Sequence, residues 1–452
     1  MSELQTLFGL TAAGGGRGRC IATRGFALEL DRFAGGSSLG DGLARLEGRA
    51  VLLAVGDMAK AAAALIELDG VARQIVLCPA GAGIDALGAL ARAAAADALV
   101  HDGDAPAPEI GVETRVACRL PLQPRSAPRA ARFSTEWILP TSGTSGPPKL
   151  VAHTLATLTA AFQPVAGERW ATFYDIRRYG GLQILLRALS GAESLTLSDP
   201  NESVDAFLVR LGEAGATHIS GTPSHWRKVL MSGEARKIAP QRVRLSGEIA
   251  DDAVLAGLGA LYPQARVEHA YASTEAGVAF VVCDGRAGFP ASVVAGDGEV
   301  ALRVVDDVLR VRSNRAALRY VGADAPALKD ADGFVDTGDV VTRRGERYLF
   351  VGRRGGIINV GGAKVHPEEV EAALNAHRAV LASRVFARQS PITGALVAAE
   401  VVLRDGAAAD EGMKRDILAA CRAVLPAHKA PSFVTFVAEL PTTDGGKLVR
   451  HG

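Results

Sequence analysis

The stretch Ile138-Leu139-Pro140-Thr141-Ser142-Gly143-Thr144-Ser145-Gly146-Pro147-Pro148-Lys149 decides how this chain is read. It gathers small residues, four hydroxyls and one cation into a single turn-prone segment. Glycine lets backbone N–H groups crowd around an anion, because positive φ costs it little. Successive N–H groups can form a concave anion site. Thr141, Ser142, Thr144 and Ser145 add hydroxyl donors, and Lys149 adds a point charge. Trp137-Ile138-Leu139 reads as the end of a buried strand, and Val151-Ala152-His153-Thr154 as the start of a helical segment. The expectation is a strand–loop–helix that holds polyphosphate. The common nucleotide P-loop does not fit: it needs Gly-Lys followed by Ser or Thr. Here Pro148 precedes Lys149 and Leu150 follows it.

Bulk properties narrow the field. At 452 residues the chain is too long for one ordinary core, so two or three domains are expected. Apolar residues are 48% and charged residues 22%, a balance typical of globular proteins. Net charge is +1, so nothing points to nucleic acid or another polyanion as partner. Cys20, Cys78, Cys118, Cys283 and Cys421 are widely spaced and contain no CxxC pair. That pattern suggests neither a disulfide framework nor a zinc site and fits a reducing cytoplasm. The Met1–Phe8 segment lacks the basic start of a secretory signal, and no apolar run is long enough for a membrane span.

Periodicity supplies the architecture. Ala50–Val55, Gln74–Cys78 and Ala98–Val100 read as buried strands, alternating with helices over Met58–Leu68 and Ile84–Ala96. Such alternation implies a parallel α/β sheet. Asp104–Arg129 reads as an irregular connection. The alternation then resumes with a helix at Val204–Ala214, a strand at His218–Gly221 and a helix at Ser224–Ser232. From about Gly285 short alternating strands (Glu299–Val304, Val308–Arg312, Arg347–Val351) suggest a small antiparallel β unit. A mixed α and β segment follows, with helices at Pro367–Ala376 and Met413–Val424 and a strand at Gly394–Leu403. Arg353–Gly356 reads as a hinge, dividing 1–352 (with the β unit at about 285–352) from 353–452.

Four further segments carry chemistry. In His269–Gly277, Tyr271 can stack on a base, Thr274 can donate to a phosphate, and Glu275 can hold Mg²⁺. An ordinary helix start with Thr274 as cap explains the same residues. In Asp332–Asp339, an aspartate after a glycine turn can accept from ribose hydroxyls, although Asp-rich turns are common. Gly352-Arg353 is followed by Gly361-Gly362 and a helix opened by Pro367-Glu368-Glu369, which satisfies first-turn preferences. Pro441–Arg450 sets Lys447 on a glycine turn, where a merely solvated lysine is the simpler reading.

In this order and spacing, the five segments resemble the class I adenylate-forming superfamily of acyl- and aryl-CoA synthetases, peptide-synthetase adenylation domains and luciferases. The resemblance runs from about Arg49 to Arg450. It implies a large α/β region with two α/β sheets and a small β-barrel, and a smaller mobile α+β lid. It also implies ATP-dependent activation of a small carboxylic acid to an acyl-adenylate. Transfer to a thiol follows, either coenzyme A or the phosphopantetheine of an acyl carrier protein. By the same resemblance, Thr141, Ser142, Gly143, Thr144, Ser145, Gly146 and Lys149 take the phosphates. Ser246, Gly247, Glu248 and Tyr271 surround adenine, Thr274 reaches the α-phosphate, and Glu275 binds Mg²⁺. Asp339 with Arg353 takes the ribose, Lys447 is the catalytic lysine, and Gly361-Gly362 line the thiol route.

The acid pocket is expected among Arg178, Tyr179, Gly181, the Gly221–Trp226 segment and Ala272. Arg177 or Arg178 is expected to read a polar substrate group or a pantetheine phosphate. Three departures from the family pattern stand out: Gly355-Gly356 occupy the hinge, the amino-terminal region is short, and Arg177-Arg178-Tyr179-Gly180-Gly181-Leu182 stands where a gating His before Gly-Leu is usual. No carrier domain is expected beyond Lys447. A catalytically idle nucleotide-binding protein of the same fold is the competing reading from another class.

Overall fold

In the computed structural model, residues 5–13, 18–104, 107–125, 129, 131–141, 149–163, 167–191, 193–294, 296, 298–360, 362–390, 394–443 and 447–449 are described. Buried Val/Leu/Ile-rich runs make the central strands. Ala50–Ala54 is parallel to both Gln74–Leu77 and Ala98–Asp102, in a seven-stranded sheet completed by Thr114–Cys118, Glu136–Pro140, Leu150–Thr154 and Arg319–Val321. These strands are apolar on both faces because helices cover them, as parallel sheets require. The Met58–Leu68 helix is alanine-rich and almost wholly buried, and Asp57 caps it by accepting from Lys60 N.

A second sheet of eight strands orders Gly277–Val282, Arg266–Ser273, Arg242–Ser246, His218–Gly221, Trp170–Thr172, Leu195–Leu197, Cys20–Thr23 and Phe26–Glu29. Helices Val204–Glu213, Pro223–Met231 and Asp252–Leu261 pack on one face of it. Helix Tyr179–Ser190 packs on the other.

The expected β unit is a five-stranded antiparallel sheet built on Val300–Val305, Val308–Ser313, Val335–Arg344, Arg347–Arg353 and Phe289–Pro290. Arg353 is the last residue of its strand, and Arg354–Gly356 form one 3₁₀ turn. From Ile358 onward the chain builds its own apolar cluster around Val365, Val370, Leu374, Val385, Val401 and Ile417.

Two local expectations fail here: the Asp104–Arg129 connection is not irregular throughout, since Thr114–Cys118 pairs as a strand with Ala98–Asp102, and the segment after Lys149 does not open as a helix. Residues 150–154 are not the start of a helix but a strand antiparallel to Glu136–Pro140, with Leu150 opposite Pro140 and Thr154 opposite Glu136. Helix Leu155–Thr159 starts only after it, capped by Thr154. A short apolar run does not distinguish strand from helix by periodicity. Here pairing with the buried Ile138 and Leu139 settles it. On either side of residues 142–148, Thr141 N donates to Lys149 O at 2.8 Å, extending the antiparallel pairing. Residues 142–148, the core of the expected phosphate loop, and Gly361 of the thiol route lie outside the described residues.

Candidate active site

The site forms where the carboxyl ends of the eight-stranded sheet meet the five-stranded sheet and the carboxyl-terminal segment. Thr274 and Glu275 occupy the turn between Arg266–Ser273 and Gly277–Val282, not a helix start. Gly277 sits at φ +76° with the Arg315 carbonyl 2.4 Å from where a Cβ would be, so only glycine closes this turn. Two backbone bonds fix its apex. His153 Nε2 lies 2.7 Å from the Thr274 carbonyl, and Ala317 N donates to the Glu275 carbonyl at 2.8 Å. A carbonyl only accepts, so Nε2 carries the proton and Nδ1 faces the Thr157 hydroxyl at 3.0 Å. Burial lowers the His153 pKa to about 4, which keeps the imidazole neutral.

Tyr320 stands between two expected phosphate-site groups. The Lys149 ammonium lies 5.0 Å from its ring centroid, and its hydroxyl pKa is raised first by burial and then by the Glu275 carboxylate. Nothing in the sequence marks Tyr320 for this role. Antiparallel pairing of the edge strand Arg319–Val321 with Leu150–Thr154 brings it there.

Tyr271 meets Asp339, the residue expected to take the ribose. The Tyr271 hydroxyl donates to Asp339 Oδ2 at 2.6 Å, and Arg353 Nε donates to Asp339 Oδ1 at 2.8 Å. Arg353 Nη2 also donates to the Thr337 carbonyl, which orients the guanidinium. Burial, then the Asp339 charge, pushes the Tyr271 hydroxyl well above its ordinary pKa. The Tyr271 ring stacks on Phe350 and Phe280 at 4.9 and 5.3 Å, so it meets two phenylalanines before any base. Its polar contribution here is to Asp339.

Lys447 reaches this site from the carboxyl-terminal segment. Thr443 N donates to Lys447 O, and Val449 N to Pro441 O. Lys447 Cε lies 3.1 Å and Nζ 3.7 Å from where a Gly247 Cβ would be, and Gly247 is held at φ +88°. Glu248 docks the segment, accepting from Leu448 N at 2.9 Å while its other oxygen accepts from Ser224 N at 3.0 Å. Asn375 Nδ2 donates to Asp251 at 3.0 Å. Between helix Pro223–Met231 and the lid a cleft of about 340 Å³ remains, lined by Glu248, Met231, Leu381 and Leu448. The Lys447 pKa is lowered, chiefly by burial; Arg353 and Arg178 add to the shift, while Glu248 and Asp339 oppose it. The lysine is thus a sheltered cation among two cations and two carboxylates.

The residues expected at the acid pocket divide. Arg177 is fully buried and committed: it pairs with Asp175 at 2.7 Å and donates to the Val55 and Gly56 carbonyls. It is a structural tie between the two large sheets and reads no ligand. Trp226 is fully buried with its indole N–H on the Arg244 carbonyl. Gly181 lies against the Asp175 backbone, where a Cβ would come within 2.2 Å of the carbonyl oxygen. Tyr179 is buried against His153. Arg178 faces Lys447, and its buried Nε has no hydrogen-bond partner among the described residues. Ala272 lies in the strand just before Thr274. Gly362 sits on the surface at φ +87° with nothing near its Cβ direction.

Among the described residues no group of three or more His, Cys, Asp or Glu side chains can hold a metal. No helix of the described residues is long and apolar enough to cross a membrane.

Sequence comparison agrees with this geometry. Residues 47–313 match the AMP-binding enzyme family, and residues 369–447 match the AMP-binding enzyme C-terminal domain. The chain belongs to this family, within the class I adenylate-forming superfamily. It is 33% identical over 169 residues to a 2-succinylbenzoate–CoA ligase of Listeria innocua, covering 37% of this chain and 33% of that one. It is 28% identical over 346 residues to an isonitrile lipopeptide synthase of Streptomyces coeruleorubidus, covering 70% of this chain and 23% of the relative. The match thus spans a third or less of either relative. An anthranilate CoA ligase, solved with anthranoyl-AMP, superposes with a TM-score of 0.80 at 17% identity, covering 99% of this chain and 96% of that one. At that identity the likeness concerns the fold.

Proposed function

We propose that this protein activates a small carboxylic acid with ATP, forming an acyl-adenylate and pyrophosphate, and then transfers the acyl group to a thiol, most simply coenzyme A. The observation that carries this reading is Lys447, delivered from the carboxyl-terminal segment to Gly247 and Glu248. A carboxylate attacking the α-phosphorus meets a polyanion, and Coulomb repulsion opposes the encounter. An ammonium held between the two reactants lowers that barrier, because such displacement depends mainly on charge stabilisation and in-line positioning. Asp339 keeps lone pairs beyond those used by Tyr271 and Arg353, so it can accept from ribose hydroxyls. Thr274, at an apex fixed by His153, donates to the α-phosphate, and Lys149 with the 141–149 segment receives the outer phosphates. Bound Mg²⁺ neutralises phosphate charge beside Glu275.

For the second step, rotation about Arg354–Gly356 withdraws Lys447 and brings the Gly361-Gly362 turn to the site. The match to a lipopeptide synthase supports carrier-protein phosphopantetheine as a second candidate acceptor.

Acid-dependent exchange of labelled pyrophosphate into ATP tests the reading. Exchange that requires both Mg²⁺ and a carboxylic acid is expected. Nucleotide binding without exchange across a broad acid panel identifies an idle binding protein instead. Parallel assays with coenzyme A and with a phosphopantetheinylated carrier then decide the acceptor.

A further inference from the structure

Below the site, the eight-stranded sheet carries a charged layer that the adenylation chemistry does not use. Thr172, Ser220, Arg244 and Glu268 stand side by side on four neighbouring parallel strands. The alternate residues Ala171, Ile219, Val243 and Val267 face the apolar core under the outer helices. The charged row therefore faces helix Tyr179–Ser190, as side chains alternate along a strand. That helix adds Arg187, whose guanidinium lies 4.4 Å from the Phe162 ring centroid and 5.6 Å from that of Trp170.

The layer holds more cation than anion. Glu268 is 3% exposed and is the one carboxylate facing both Arg244 (3.1 Å) and Arg266 (3.3 Å). Glu168 is spent on His218 and on the Trp170 indole. His218 adds no charge, since burial and Arg242 hold its pKa at about 4. Burial, then Arg244, lowers Arg187 to about 10. Among the described residues, Arg187 Nε, Arg244 Nε, Ser220 Oγ and Glu268 Oε1 are all buried without a hydrogen-bond partner; the Arg244–Glu268 pair is close but poorly directed. Buried cations and hydroxyls left in this state are costly.

The layer also connects to the site. Two residues further along the same strand faces stand Ser246 and Ala270, about 7 Å up the sheet by strand rise. Both are small. Tyr174, just past strand Trp170–Thr172, donates its hydroxyl to the Ser246 carbonyl, next to the Gly247 on which Lys447 rests.

We infer that Arg187, Arg244 and Ser220 form the floor of the acid pocket and receive a second carboxylate, so that the substrate is a compact dicarboxylic acid. This rests on the ligase reading above. One carboxylate is activated beside Lys447; the other takes the unsatisfied donors of the floor and balances its excess charge. A mono-acid of equal length leaves those donors dry and unpaired, and a site built for a polar group discriminates strongly against its absence.

The test uses the full chain with ATP, MgCl₂ and matched acid pairs: pentanoate with glutarate, hexanoate with adipate, benzoate with its carboxy-substituted forms. Pyrophosphate release gives kcat/KM for each. At least one dicarboxylate is expected to exceed its partner mono-acid tenfold or more. Arg187→Met is expected to lower that ratio at least tenfold, mainly through KM, with Arg187→Lys recovering part of it. Mono-acids used equally well or better overturn the subsite and leave the ligase reading intact, as does a ratio unmoved in a folded Arg187→Met. Absence of pyrophosphate with every acid overturns both. If Arg187→Met does not fold, the wild-type ratios decide alone.

Discussion

At the scale of single residues, function turns on where a few charges are held. Lys447 is buried beside Arg353 and Arg178, an environment that disfavours its charged form. Such a lysine is suited to a negatively charged ligand, because bound phosphate and carboxylate supply the anions it lacks. Lys447→Ala is expected to lower the adenylation rate by two or more orders of magnitude, the scale on which loss of a transition-state charge partner acts. It is expected to spare thioester formation from preformed acyl-adenylate. Single-turnover measurements of each half-reaction check this, and equal loss in both contradicts the assignment. Glu248 shows how little of such a role is visible in sequence. One carboxylate caps the start of helix Pro223–Met231 at Ser224 N and also docks the lid at Leu448 N. No local pattern marks a residue whose partner lies 200 positions away.

At the scale of elements, buried histidines tie strands together. His153 joins strand Leu150–Thr154 to the turn carrying Thr274. His225 completes the capping box of helix Pro223–Met231 with Thr222. His218 spans the sheet to Glu168. All three have pKa values near 4, with burial the first cause. A histidine whose folded pKa is depressed contributes stability that is present above about 6.5 and lost as pH falls toward 4. Each adds about 1.4 kcal/mol per pH unit in that window. Asp69, raised to about 6 by burial, acts in the opposite sense, because the folded state keeps its proton while the unfolded state loses it. Urea midpoints are therefore expected to fall from pH 6.5 to 4.5, and His153→Gln to reduce the slope. A flat or rising profile would falsify the neutral assignment of these histidines.

At the scale of the molecule, the carboxyl-terminal segment is packed so that Lys447 lies against Gly247. Arg354 anchors the turn at Arg354–Gly356 by reaching both oxygens of Asp336 at 3.1 and 3.3 Å. Neither Gly355 nor Gly356 has positive φ here, and a Cβ at Gly356 would meet open space. If rotation passes through backbone angles only glycine reaches, Gly355→Ala with Gly356→Ala slows thioester formation and leaves adenylation near wild type. Stopped-flow assays of the two half-reactions separate these effects. Unchanged rates in both place the hinge elsewhere.

The sequence by itself determined the class. Strand–helix alternation from Ala50 to Val100, the β unit after Gly285 and the order of five short segments are local or additive signals, and they survive folding because burial enforces them. The same local information misread residues 150–154, since an apolar run of that length pairs as a strand only when a neighbour such as Ile138 is present. The tertiary structure alone decided that Arg177 is a tie between sheets and that Tyr320 stands between Lys149 and Glu275. It also decided that Arg187, Arg244 and Glu268 share one buried layer. These facts depend on strand register and helix placement across hundreds of residues. No short window of sequence encodes them, because the energy of a buried charge is set by what the rest of the chain brings beside it.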